Sequence, residues 1–252
     1  MKRKIVFITD CSDIAYNELR GVTLRALAEN AEGENIEIEP AVIVKPFSLI
    51  NGSFILRLMA EVYPPETIFS VILNPMKDRP ARIFGKTQKD NFIFLGANTG
   101  VFEWLLKDFG LDQLYELNDP GFVSFGGKYV HAPNVARLAT GVPFGHLGKP
   151  FDAKKLLSLN LERGTIVHID NFGLIKFIGP LPDAREGDRF KIEAGNKDFI
   201  AKYARRMMSE EAGEWVIYPG SSLGLPELGR VRQNGAMELN VDIGEKIFFE
   251  KI

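Results

Sequence analysis

One cysteine, Cys11, is all that the 252 residues contain, which excludes a disulfide framework and a thiolate metal cluster. No apolar run approaches the ~20 residues needed to cross a bilayer. The basic start Met1-Lys2-Arg3-Lys4 leads into only four apolar residues, too few for a secretory core. A cytoplasmic chain with no membrane partner is expected. Neither sign of charge is in excess: 31 lysines and arginines face 33 acids, with no basic block. A nucleic-acid footprint is therefore not expected. The three histidines, His131, His146 and His168, are scattered without metal-ligand spacing, so each reads as a structural imidazole and no metal is expected. Also missing are G-x-G-x-x-G after a strand, the phosphate loop, G-x-S-x-G and H-E-x-x-H.

What is present is an ordinary globular composition, 45% hydrophobic and 25% charged. Ile5-Val6-Phe7-Ile8 reads as a strand buried on both faces, and it runs into Thr9-Asp10-Cys11-Ser12-Asp13. Residues 14–30 follow with Ala15, Leu19, Val22, Leu24 and Leu27 near helical spacing. Asp10 and Asp13 thus fall on a strand-to-helix loop, where open α/β sheets place ligands. Either can cap the helix; either can instead aim a carboxylate at sugar hydroxyls or a cation. Cys11 reads as a small hydrophobe at a strand end rather than a nucleophile, having no histidine nearby in sequence.

Residues 36–44, 67–73 and 92–95 read as further strands, and 49–62, 101–109 and 133–139 as helices, with Pro64-Pro65 stopping the first of these and Asn74-Pro75 marking a turn. This alternation predicts a layered, Rossmann-like α/β domain over 1–150 with a mostly parallel sheet. Residues 151–163 read as a linker within a Gly-, Pro- and Lys-rich stretch beginning near Phe144. From 164 to 252 the texture changes to short strands at 165–169, 174–178, 189–192, 214–218 and 246–250. A helix near 197–208 is expected between them, with Arg205-Arg206 on its solvated face. The expectation is a small C-terminal β-barrel or sandwich.

In order along the chain, Thr9-Asp10 through Arg20-Gly21, Lys45-Pro46-Phe47, Tyr63-Pro64-Pro65-Glu66-Thr67, Leu73-Asn74-Pro75, Gly96-Ala97-Asn98-Thr99-Gly100, Ser124-Phe125-Gly126-Gly127, His168-Ile169-Asp170-Asn171-Phe172-Gly173, Gly220-Ser221-Ser222 and Glu227-Leu228 resemble one family. It is the S-adenosyl-L-methionine (SAM) hydroxide adenosyltransferases, or SAM hydrolases, relatives of the SAM-dependent chlorinase and fluorinase. The resemblance implies an α/β domain, a β-barrel domain, and a homotrimer with sites between subunits. It implies SAM or adenosine as ligand, with no separate cofactor. Water, hydroxide or halide attacks the 5′-carbon of SAM and expels methionine, so catalysis rests on holding a partly desolvated nucleophile in line.

In the hydrolases an aspartate, an arginine and a histidine clamp that nucleophile. The corresponding positions here are Asn74, Arg82 (or Arg79) and Gly126. Asn74 lacks the carboxylate's charge and Gly126 lacks any side chain. Together they predict impaired or lost hydrolysis and a roomier pocket beside the 5′-carbon. The binding positions are better kept. The resemblance assigns Asp10 to the ribose diol, Asp13 to the amino-acid end of SAM, Asp170 to the methionine ammonium, Ser221 to its carboxylate, and Arg230 to a backbone-contact position; Leu174 replaces an asparagine. Three readings follow: a SAM- or adenosine-binding homologue acting as sensor or pseudoenzyme, an adenosyltransferase of altered nucleophile or substrate, and a non-catalytic trimeric scaffold.

Overall fold

Strand β1 (Arg3–Thr9) has five consecutive buried residues, and its side chains alternate between two helical layers. Ile5 and Phe7 join a core with Leu19 and Leu27 of α1 (Ile14–Ala28) and Val135 and Leu138 of α4 (Ala132–Ala139). The opposite layer is formed by α2 (Leu49–Val62) and α3 (Glu103–Phe109), where aromatic rings interlock. Phe69 meets Phe92 edge-on at 5.3 Å and Phe92 meets Phe109 at 5.2 Å. Coverage on both faces explains the near-continuous apolar strands. The computed structural model describes residues 2–73 and 80–252, which divide into two units, 1–159 and 160–252.

In the first unit, β2 (Ile36–Ile38), β3 (Val42–Ile43), β4 (Ile68–Ile72) and β6 (Ile93–Ala97) run parallel within the β1 sheet. Strands β5 (Arg82–Thr87), β7 (Leu111–Leu117) and β8 (Gly148–Pro150) extend it antiparallel, so the order is β2-β1-β4-β6-β5-β7-β8 with β3 beside β1. The parallel half matches expectation. The antiparallel half is a correction: the sequence reading contains no β5, β7 or β8, and β8 with the short α5 (Phe144–Leu147) lies in the stretch read as loop. Residues 36–44 also form two strands rather than one, because Pro40 between them cannot donate to a ladder. Asn98 ties residues 155–157 to this unit, donating to the Lys155 carbonyl (2.9 Å) and accepting from the Leu157 N–H (3.0 Å).

The second unit is a seven-stranded sheet in the order β15 (Ile247–Lys251), β11 (Arg189–Ala194), β12 (Lys197–Tyr203), β13 (Trp215–Pro219), β14 (Pro226–Arg230), β10 (Ile175–Phe177) and β9 (Ile166–Ile169). A bridge between Thr165 and Lys246 joins its two ends, so the sheet curls into the expected barrel. The helix expected near 197–208 is instead β12 followed by a single turn at Met207–Ser209. Gly195-Asn196 make a two-residue hairpin turn, with Gly195 at φ +57°, that locks Lys197 opposite Ala194. Period-two burial of Phe199, Ala201 and Tyr203 then overrides helical propensity. Arg205 and Arg206 are exposed, but on a turn. A short helix, α6 (Gly235–Leu239), packs Ala236 and Leu239 onto the barrel core.

Candidate functional site

The carboxyl end of β1 delivers Thr9, Asp10 and Cys11 to the edge of the parallel strands. Thr9 is fully buried and its hydroxyl accepts the Cys11 N–H at 3.1 Å. Asp10 is only 8% exposed, and its Oδ2 accepts the Phe47 N–H at 3.0 Å. Phe47 has φ +63° and is 74% exposed. A left-handed aromatic residue costs ~1–3 kcal/mol, which the charge-assisted bond from Asp10 offsets. Asp13 caps α1, its Oδ1 accepting the Ala15 N–H at 2.9 Å. Of the two acids, Asp13 is the cap. Burial pushes the Cys11 thiol above its ordinary pKa, which favours the thiol over a reactive thiolate.

Beside these residues lies a cleft of about 590 Å³, walled by Cys11, Ile72 at the end of β4 and Leu73 after it, Ala97 at the end of β6, and the segment 121–127. Its body is apolar. The polar groups on its wall include Arg82, Asp119 and His131. Arg82, at the start of β5, pairs with Asp119. A Cβ built on Gly126 would overlap the Arg82 guanidinium, so the arginine fills the space this glycine leaves. Of the room expected beside Asn74 and Gly126 together, the guanidinium takes the Gly126 side, while Asn74 lies outside the described residues. His131 is 5% exposed, and burial first, the Arg82 charge second, push its pKa down to about 3. It stays neutral at working pH. Its Nδ1 has no hydrogen-bond partner among the described residues, contrary to a satisfied structural imidazole.

Two of the expected clamp positions, Arg82 and Gly126, are thus brought together, while Asn74 and Arg79 lie outside the described residues. The sequence reading misses Asp119 and His131 as cleft residues. Asp119 sits in a loop with no motif, and the burial that singles out His131 comes from residues distant in sequence.

Asp170, Ser221 and Arg230 belong to the second unit. Asp170 follows β9 and shapes its own loop, Oδ1 accepting the N–H groups of Phe172 and Leu174 at 2.9 Å each. Ser221 is exposed in the turn between β13 and β14. Arg230 donates from Nε to the Gly213 carbonyl (2.9 Å), pairs with Glu238, and lies 5.7 Å from the Trp215 ring centre. The same unit carries a polar row across four strands: His168 opposite Lys176, Lys176 opposite Glu227, and Glu227 opposite Tyr218. Lys176 and Glu227, 8% and 4% exposed, pair at 2.9 Å, and the Tyr218 hydroxyl donates to Glu227 at 2.9 Å. Burial, then the Glu227 carboxylate, pushes the Tyr218 pKa up.

Residues 5–148, more than half the chain, match the SAM hydroxide adenosyltransferase N-terminal domain. The chain belongs to this family. A relative from Methanocaldococcus jannaschii, an (R)-S-adenosyl-L-methionine hydrolase, is 22% identical over 255 residues, covering 95% of this chain and 94% of the relative. Among solved structures, an uncharacterized conserved protein from Thermotoga maritima aligns with a TM-score of 0.83 at 22% identity, covering 98% of this chain and 100% of that one. A conserved hypothetical protein from Thermus thermophilus aligns at 0.77 and 21% identity, covering 99% and 100%. These two likenesses show that the fold of this chain recurs in solved proteins. No helix among the described residues is long and apolar enough to cross a membrane.

Proposed function

We propose that this member of the SAM hydroxide adenosyltransferase family binds SAM or adenosine, with hydrolysis to adenosine and methionine impaired. The observation carrying this reading is the Arg82 guanidinium lying against Gly126 in the cleft beside β1 and β4. One member of the family clamp is retained there, and the position of another carries no side chain. Losing a positioned acid–base group costs ~10²–10⁴-fold in rate, whereas nucleoside binding draws on other groups. Asp10, at the strand end, suits the vicinal diol of ribose because each carboxylate oxygen accepts one hydroxyl proton. Asp13, Asp170, Ser221 and Arg230 are then assigned to the methionine end of SAM, in a cytoplasmic homotrimer with sites between subunits.

Calorimetric titration with SAM and with adenosine, followed by product analysis of the same mixtures, tests this. Binding with little methionine released is the expected result. No heat with either ligand at millimolar concentration overturns the reading in favour of a scaffold. Brisk methionine release instead shows an active adenosyltransferase.

A further inference from the structure

Glu227 belongs to the C-terminal stretch that resembles the family, yet both its oxygens are taken within the barrel. Oε1 meets Lys176 Nζ at 2.9 Å, and Oε2 accepts from the Tyr218 hydroxyl at 2.9 Å. Lys176 is 8% and Glu227 4% exposed, so the carboxylate is held in place away from water. A buried ion pair adds little net stability over apolar residues of similar volume. Stability alone therefore does not account for the pair.

The carboxylate packs against the start of the loop between β13 and β14. Gly220 follows Tyr218 by two residues and so lies on the same face. A Cβ built on Gly220 would overlap the Glu227 side chain from Cγ to Oε1. Gly220 is not among the left-handed glycines, so space rather than backbone conformation requires a glycine here. The loop then closes on itself: the Gly220 N–H donates to the Leu225 carbonyl at 2.7 Å, and the Leu225 N–H to the Ser222 carbonyl at 3.1 Å. Its central residues Leu223 and Gly224 are both left-handed, at φ +56° and +64°, as a tight hairpin turn demands. A leucine there is strained, and such strain persists where the surroundings over-determine the backbone. Glu227 supplies that constraint at the base of the loop.

We propose that Glu227, held by Lys176 and Tyr218, is a positioning residue: it braces the 220–225 loop, fixes the place of Ser221, and so sets the affinity for the amino-acid end of SAM. The last step rests on the reading above, which assigns Ser221 to the methionine end.

The test titrates SAM and adenosine into the whole chain and into Gly220→Ala, which keeps every charge but pushes the loop off Glu227. SAM affinity is expected to fall about tenfold, with adenosine affinity within about twofold of the parent. Ser221→Ala is expected to give a similar loss, and the two substitutions together no more than Ser221→Ala alone, because one acts through the other. Tyr218→Phe, which frees only Glu227 Oε2, is expected to weaken SAM binding about threefold, and it serves if Gly220→Ala does not fold. Amide exchange at Leu225 reads the loop without any ligand and is expected to quicken about tenfold in either variant. Unchanged exchange overturns the brace. Quickened exchange with undiminished SAM affinity, or losses that multiply in the double variant, overturns the link to Ser221. If SAM does not bind the wild-type chain, the methionine-end reading fails, while the exchange result still decides the brace.

Discussion

The Arg82 guanidinium occupies the space that a side chain at Gly126 would need. The contact is with the far end of a flexible side chain, so Gly126→Ala is expected to cost less than ~1 kcal/mol while displacing Arg82 from Asp119. Gly148→Ala is the contrast. A Cβ there overlaps the Glu116 carbonyl and meets the Phe84 ring, so the β7–β8 ladder must part at ~3 kcal/mol or more. Urea unfolding and calorimetry on both variants measure the difference.

Asp10 combines a fold role, accepting from Phe47, with the proposed ribose role. Asp10→Asn keeps an acceptor and is expected to unfold within ~1 kcal/mol of the parent, yet bind adenosine at least tenfold more weakly. Asp10→Ala adds a stability loss of ~1–3 kcal/mol. Unchanged adenosine affinity in the asparagine variant would remove Asp10 from the site.

Asp13 separates differently, because its carboxylate caps α1. Asp13→Ala is expected to cost ~1 kcal/mol, which Asp13→Ser recovers by capping with a hydroxyl. The serine variant should bind adenosine normally and SAM more weakly. Equal SAM affinity would leave Asp13 as a cap alone.

His131 makes stability depend on pH. Folded, it stays neutral down to about pH 3; unfolded, it takes up a proton near 6.5. The unfolded chain therefore binds more protons between those values, and this contribution to stability is lost as pH falls through the window, by up to ~1.4 kcal/mol per unit. Above about 6.5 the contribution is flat. Urea unfolding of wild type and His131→Phe from pH 4 to 8 should diverge only on the acid side. Parallel curves would refute a buried neutral imidazole.

Lys176 and Glu227 form the buried pair of the barrel row. Lys176→Met strands the Glu227 carboxylate and is expected to cost ~3–5 kcal/mol. Adding Glu227→Met should return most of that loss, less the Tyr218 hydrogen bond. A Lys176→Met cost under ~1 kcal/mol would show that the pair is solvated in solution.

Legibility follows the range of the forces involved. The apolar runs of β1, β4 and β6 and the helical spacing of α1 and α2 are visible because each pattern repeats within a few residues. Strand β12 reads locally as a helix because its identity depends on pairing with β11 across Gly195-Asn196, not on local propensity. Strand β5, with Gly85 in its middle, carries too weak an apolar signal to be read without its partners β6 and β7.

By itself the sequence determined the order of two architectures, the acids at the end of the first strand, and the family resemblance spread along the chain. Tertiary structure alone decided which acid caps, that Arg82 fills the room beside Gly126, and that His131 is buried with a nitrogen unpaired among the described residues. Those outcomes depend on desolvation and close approach between residues up to about fifty positions apart, and the range of such contacts is set by the fold rather than by spacing in the chain.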